Sequence, residues 1–340
     1  MNTEGKTPWL EWNEVAVHFP IRRGVLARVK GRVHAVDGVS LEIGRGETLG
    51  LAGESGCGKT TLGRVLAGLE RPTSGEVKLD GKTLFSAGRQ RPLSRDLRRR
   101  IQMVFQDPMA SLNPRMAIGD LLTEGLIEHR LLKDESREAA AVRLLKEVGL
   151  DESVLWKYPF EFSGGQRQRI CIARALSLEP DLVVCDEVVS ALDVSVQAQV
   201  INLLMDLRRR HGLAYLMIGH DLSVLRHVSH RIAVMYLGRL AEIGPSDSMV
   251  DAPRHPYAKA LVAAVPVPGV KRRRQALKGE PPSAADPPPG CPFHPRCPQA
   301  MPVCRIQAPA AREVDGHRVW CHLYSEFHAP PARDENFLKH

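Results

Sequence analysis

The sequence predicts an α/β protein built around a largely parallel sheet. Three observations support this. Short apolar strands alternate with helical segments along the chain. A glycine-rich turn lies between one such strand and a helix. Another apolar strand ends on two adjacent acids.

The elements follow in order. Residues 12–19, from Trp12 to Phe19, mix apolar and polar positions over a short β-branched and aromatic run and read as a strand. A basic loop comes next, and a second strand-like stretch runs from Val33 to Ile43. Thr48 to Ala52 is a short, mostly apolar run before the glycine-rich turn, and Thr60 to Leu69 reads as the helix after it. Leu121 to Val148 has one helical period, with Leu, Ile and Val on one face. Asp181 to Cys185 is a buried strand, apolar after the Asp, and Ala214 to Ile218 is another. Residues 279–290 are rich in proline and read as a linker that separates the last cysteines from the rest. There is no internal repeat.

A chain of 340 residues, 43% hydrophobic and 25% charged, has ordinary globular composition and room for about two domains. No apolar run approaches the roughly 18–20 residues of a membrane span. The opening segment Met1 to Lys6 has no basic stretch leading into an apolar one, so no secretory signal is read there. The expectation is a cytosolic chain that reaches a membrane through a partner. The net charge of +8 suits acidic partners. The runs Arg98–Arg100 and Arg208–Arg210 carry no interleaved aromatics and read as solvated helix faces rather than a nucleic-acid surface. Seven cysteines, an odd number without a signal segment, argue against a disulfide framework.

Gly53-Glu54-Ser55-Gly56-Cys57-Gly58-Lys59-Thr60 fits G-x-x-x-x-G-K-S/T, the P-loop, in its required place between strand and helix. Its glycines let backbone N–H groups curl towards phosphate oxygens, and the helix N-terminus adds partial positive charge. Lys59 can reach the β- and γ-phosphates, and the Thr60 hydroxyl can ligate Mg²⁺. Thr61 completes the nucleotide-binding set. At the end of the strand Leu182-Val183-Val184-Cys185, Asp186 would hold Mg²⁺ and Glu187 would act as general base on the attacking water. Such apolar-then-acid strings also occur as plain strand ends, so the pair gains weight only beside the P-loop.

Phe162-Ser163-Gly164-Gly165-Gln166, followed by Arg167-Gln168-Arg169, resembles the signature motif of ABC ATPases. The resemblance implies that Ser163, Gly164, Gly165 and Gln166 serve the ATP bound to an opposite subunit. Other positions match the family in order. Gln106 matches the Q-loop, which senses γ-phosphate and Mg²⁺ and faces the membrane partner. Ser190-Ala191-Leu192-Asp193 matches the D-loop, with Asp193 at the dimer interface, and His220 matches the switch histidine. Phe19 falls where the family places an aromatic on adenine. The stretch Phe105 to Arg115, together with Tyr236-Leu237-Gly238-Arg239 and Pro253 to Tyr257, resembles the peptide and nickel importer ATPases. One departure is Val188, where those relatives have proline after the catalytic Glu.

The fold class so implied is α/β, with a P-loop NTPase (ABC ATPase) core. It adds an N-terminal antiparallel β layer, a helical subdomain and a cysteine-containing C-terminal extension. The expected division is 1–107 for the β layer and P-loop part of the core, and 108–168 for the helical subdomain. Residues 169–250 form the second part of the core and 251–340 the extension. The implied function is that of an ATP-hydrolysing subunit of an importer for di- or oligopeptides. The rival readings are an importer for another solute such as nickel, a soluble ATPase acting on nucleic acid, and a non-catalytic binding subunit. Implied partners are a second ATPase subunit (self or paralogue), two transmembrane permease subunits and, indirectly, a substrate-binding protein, with no nucleic acid. The implied location is peripheral, on the cytoplasmic face of the cell membrane.

Cys291, Cys297, Cys304 and Cys321 have C-x5-C-x6-C-x16-C spacing, without the C-x2-C pair of ordinary zinc fingers. Four thiolates can hold zinc or a 4Fe-4S iron–sulfur cluster. The resemblance implies the cluster, since some ATPases of this type carry one there. His294 and His322 are spare ligands if the metal is zinc.

Overall fold

The computed structural model describes residues 8–23, 28–86, 94–132, 134–264 and 279–325. The N-terminal hexapeptide and the middle of the basic loop at 24–27 lie outside the described residues.

Strand β1 (Leu10–Arg23) pairs antiparallel with β2 (Arg28–Ile43), from Leu10 opposite Ile43 to Arg23 opposite Arg28. The hairpin therefore takes up most of the expected basic loop: ladder hydrogen bonding extends both strands past the runs that revealed them. Strand β3 (Thr48–Ala52) is buried at all five residues, and helix α1 (Lys59–Leu66) leaves it through the glycine-rich turn. The helix stops at Leu66, short of the expected Leu69, because Gly68 takes φ +72° and the chain turns away. Strands β4 (Ser74–Leu79) and β5 (Lys82–Ser86) complete a four-stranded antiparallel layer in the order β2-β1-β4-β5.

Helix α2 (Arg95–Arg100) leads into β6 (Ile101–Val104). The short α3 (Pro108–Ser111) then precedes α4 (Ile118–Glu128) and α5 (Arg137–Glu147). The single helix expected over Leu121 to Val148 is thus two. Arg130 enters the left-handed region at φ +56°, and Ser136 caps α5 by accepting from the Ala139 N–H at 3.1 Å. The apolar period runs through the break because both helices pack on α6 (Gly164–Leu176). After it come β7 (Leu182–Asp186), α7 (Val194–His211), β8 (Ala214–Gly219), α8 (Leu222–Val228), β9 (Arg231–Tyr236), β10 (Arg239–Pro245), α9 (Ser246–Asp251) and α10 (Pro256–Ala264). Two four-residue strands follow, β11 (Ala311–Val314) and β12 (His317–Trp320).

The second sheet has the order β11-β12-β10-β9-β3-β8-β7-β6. Strands β9, β3, β8, β7 and β6 pair in parallel, which the buried runs of β3, β7 and β8 require, since such strands are covered on both faces. On one face sits a core shared with the antiparallel layer: Leu10, Trp12, Val36 and Ile43 against Leu51, Leu62 and Leu216. Each such side chain contributes about 1.5–3 kcal/mol on burial. On the other face the core joins the α4–α6 helices to the sheet.

The C-terminal extension belongs to that second core, which corrects the reading of 279–290 as a separator. Strand β12 pairs with β10, Glu242 opposite Val319 and Ile243 opposite Arg318. Fully buried His317 donates from Nδ1 to Oε1 of fully buried Glu242 at 2.6 Å. The same carboxylate accepts from the Arg254 and His255 N–H groups at 2.9 and 2.7 Å, so the buried charge is held by several donors. The proline-rich stretch also bonds back to the antiparallel layer, with the His34 N–H donating to the Ala284 carbonyl at 2.8 Å.

Candidate functional site

The carboxyl ends of β3, β7 and β8 converge, and the site is assembled there. The P-loop after β3 has glycines that no other residue replaces cheaply. Gly53 takes φ +154°, and a Cβ on it would stand 2.2 Å from the Met235 carbonyl oxygen. Gly58 takes φ +105°, and its Cβ would stand 2.0 Å from the Ala35 carbonyl oxygen. The chain is therefore packed tightly behind the loop. The Gly238 N–H, from the turn between β9 and β10, donates to the Cys57 carbonyl at 2.9 Å. Cys57 itself is buried, and burial pushes its thiol up despite Lys59 nearby.

Lys59 is buried, and its Nζ donates to the Gly53 and Glu54 carbonyls at 2.8 and 2.9 Å. The Thr60 hydroxyl donates to Asp186 Oδ1 at 3.0 Å, joining helix α1 to the end of β7. Burial pushes the Asp186 carboxyl up, and neighbouring Glu187 adds to this, while Thr60, Arg64 and Lys59 pull the other way. A cation placed between Thr60 and Asp186 would relieve that cost.

Glu187 has φ +47°, a conformation that costs a non-glycine residue about 1–3 kcal/mol. Its N–H donates to the Ile218 carbonyl at 3.0 Å, and its carbonyl accepts from the Ser190 hydroxyl at 2.9 Å. Held this way, its Oε2 accepts from Gln106 Nε2 at 3.1 Å and lies 3.5 Å from His220 Nδ1. Val188 turns into the core instead.

Thr60 thus meets Asp186, and Gln106 and His220 meet Glu187; Lys59 precedes Thr60 and Asp186 precedes Glu187 in sequence, so the six residues gather at one place. Ser163, Gly164, Gly165 and Gln166 stand elsewhere, at the N-terminus of α6. The Ser163 Oγ accepts from the Gln166 N–H at 3.3 Å, and the Gln166 side chain accepts from the Ser163 N–H at 3.0 Å. Gly165 faces Val196, where a Cβ would stand 2.3 Å from Cγ1. Among the described residues, no hydrogen bond joins this segment to the P-loop. Asp193 is exposed at the start of α7. Phe19 lies within β1 opposite Val33, rather than at the strand end, and is exposed.

Two contacts to the P-loop escaped the sequence reading. Tyr257 Oη accepts from the Glu54 N–H at 2.9 Å. Arg296 grips the Glu54 carboxylate with two nitrogens, at 2.6 and 2.9 Å. The expectation that residues 279–290 hold the cysteine module away from the ATP site is therefore corrected. Phe293, buried among Tyr236, Tyr257 and His255, seats the module beside the loop.

Cys291, Cys304 and Cys321 are buried and Cys297 is half-buried. Burial pushes the Cys291 thiol up to about 11 and the Cys321 thiol up to about 12, with the neighbouring thiols adding to both. His294 and His322 are engaged elsewhere: their ring nitrogens lie 3.0 and 2.8 Å from the Cys291 and Gln307 carbonyls. A different trio, His18, His34 and Asp37, offers ligand atoms within 4.8 Å of one another. Arg239 already donates to Asp37 Oδ2 at 2.7 and 3.0 Å, so that carboxylate is balanced without a metal.

Comparison with known proteins agrees with this geometry. A family described as ABC transporter matches residues 36–190, and one described as oligopeptide/dipeptide transporter, C-terminal region, matches 241–304. The chain is 50% identical to the oligopeptide transport ATP-binding protein AppF of Bacillus subtilis, over 93% of this chain and 97% of that one. It is 46% identical to the dipeptide transport ATP-binding protein DppF of Escherichia coli, over 94% and 97%. The fold resembles cbiO1 of Clostridium perfringens, part of an ABC transporter complex, with a TM-score of 0.61 and 26% identity over 73% of this chain and 92% of that one. It also resembles a dimeric post-hydrolysis ATP-binding cassette bound to ADP and Pi, with a TM-score of 0.60 and 27% identity over 70% and 98%.

Proposed function

The chain belongs to the ABC transporter ATPases, in the group that carries the oligopeptide/dipeptide C-terminal region, and from that membership we propose that it energises uptake of di- and oligopeptides. The observation that carries the chemistry is Glu187, held between Gln106 and His220 beside the Thr60–Asp186 pair.

In this reading the P-loop amides from Gly53 to Thr61, with Glu54, Ser55, Gly56, Cys57 and Gly58 between, bind the phosphates of ATP. Lys59 leaves its two backbone carbonyls for the β- and γ-oxygens. Thr60, Asp186 and Gln106 would hold Mg²⁺, which neutralises charge on the transferring phosphoryl group. Glu187 takes the proton of the attacking water, and His220 orients Glu187 and the γ-phosphate. Phe19 offers its exposed ring to adenine. Ser163 to Gln166 present the N-terminus of α6 to the ATP of a second subunit, and Asp193 lies at the seam. Two subunits close over two ATP molecules, and hydrolysis reopens them.

The helices that begin at 108 form the unit that turns towards the permeases, between the two core parts, and α6 carries it past the expected bound of 168 to Leu176. The Gln106 region transmits closure to two transmembrane subunits, which receive peptide from a binding protein. The chain sits at the cytoplasmic face of the membrane as a peripheral subunit. No helix among the described residues is long and apolar enough to cross a membrane. Affinity purification of the tagged chain is expected to recover polytopic permease subunits. Recovery of nucleic acid in their place would reject the assignment.

The four cysteines fit a metal centre: the buried Cys291 and Cys321 thiols are costly to ionise without one. A tetrahedral zinc site with bonds of about 2.3 Å sets sulfurs about 3.8 Å apart. Among the described residues, no three of these sulfurs lie within 4.8 Å of one another. Four thiolates can also hold a 4Fe-4S cluster. When bound, the centre would hold the module's fold through Cys291, Cys297, Cys304 and Cys321. Elemental analysis of anaerobically purified protein is expected to give about four irons per chain. One zinc, or no metal, would reject the cluster.

A further inference from the structure

We propose that Arg296 is a positioning residue for the ATP site: through Glu54 it ties the P-loop to the cysteine module, so that ATP affinity depends on the integrity of that module. The inference deepens the reading of the cysteine site given above and rests on it.

Arg296 ends a short helical turn, His294–Arg296, between Cys291 and Cys297. Its backbone is fixed by the module itself. The Arg296 N–H donates to the Phe293 carbonyl at 3.0 Å, the Cys297 N–H to the His294 carbonyl at 3.3 Å, and the Cys291 N–H to the Cys304 carbonyl at 2.8 Å. A change in how the four thiols are held therefore moves the guanidinium.

The side chain is only 5% exposed, which is rare for arginine and calls for a full set of partners. It meets Glu54 fork on fork, at 2.6 and 2.9 Å, and Nη1 also lies 3.4 Å from Tyr236 Oη. Such bidentate pairs fix orientation as well as charge.

Glu54 in turn holds the loop. Its N–H donates to Tyr257 Oη at 2.9 Å, and its carbonyl accepts from Lys59 Nζ at 2.9 Å. Displacing Glu54 therefore displaces an acceptor of the lysine that serves the phosphates. Charge works in the same direction. An unpaired carboxylate at the second position of a phosphate-binding loop repels a polyphosphate, and Arg296 cancels it.

The test uses the full chain carrying Glu187→Gln, so that nucleotide affinity is read without turnover, with a fluorescent ATP analogue in Mg²⁺. Arg296→Gln is expected to weaken binding about tenfold. Glu54→Gln added to Arg296→Gln is expected to restore affinity to within about threefold, since two neutral amides can bond and no carboxylate is stranded. Rescue separates positioning from mere loss of fold, which a second substitution would not repair. Cys321→Ser is expected to weaken ATP binding to a similar extent, and Arg296→Gln placed on top of it to add little. Metal content measured on the same samples reports the module separately from the loop. Parental affinity in Arg296→Gln, failure of Glu54→Gln to rescue, or parental affinity in Cys321→Ser would each overturn the proposal. A Glu187→Gln parent that binds no ATP would instead bring down the functional reading itself.

Discussion

Glu187→Gln is expected to bind ATP as the parent does and to hydrolyse it roughly 10²–10⁴-fold more slowly, the range lost with a general base. The substitution keeps the shape of the side chain. Gln106 and His220 can still bond to the amide that replaces the carboxylate, so the site stays assembled. What is lost is the proton acceptor. The strained backbone at Glu187 stays strained, because the Ile218 and Ser190 contacts that hold it are backbone contacts on its side. The variant should accumulate as an ATP-bound dimer. Steady-state turnover within a few-fold of the parent would show that Glu187 is not the base.

Ser163→Arg is expected to leave nucleotide binding to the single subunit intact and to abolish ATP-driven dimerisation. Ser163 is exposed, at the open end of α6, and its Oγ accepts from the Gln166 N–H. Losing that cap costs about 1 kcal/mol, too little to unfold the chain. A long cation at the helix end would occupy the place of the partner's γ-phosphate. Sedimentation with ATP on the Glu187→Gln background reads the effect. A dimer of undiminished stability would remove the claim that the second subunit's helix completes the site.

Much of the site is legible in sequence because its pieces are local. The P-loop spacing, the acid pair at the end of β7 and the cap at Ser163 each need only a few consecutive residues, and each is where its backbone chemistry demands. Element boundaries were less legible. The break between α4 and α5 is hidden because Leu121, Leu122, Leu144 and Leu145 all face one core. The extent of the β1–β2 hairpin is hidden because its outer half is paired by ladder bonds rather than by an apolar face. The role of the C-terminal extension is hidden for a different reason. Arg296 and Glu54 are 242 positions apart, and no local pattern marks either as the partner of the other. Strand β12 has four residues, too few for an alternation to stand out. The proline-rich stretch looked like a spacer by composition, yet its Ala284 carbonyl is bonded to β2.

The most direct measurement is peptide accumulation in proteoliposomes that hold this chain with its permease and partner ATPase subunits, with labelled dipeptide and binding protein on one side. With the parent chain and ATP enclosed on the ATPase side, labelled peptide should accumulate against its gradient. With the Glu187→Gln chain, or with ATP withheld, it should not. Accumulation that proceeds equally with the Glu187→Gln chain or without ATP would contradict the claim that hydrolysis at this site energises import.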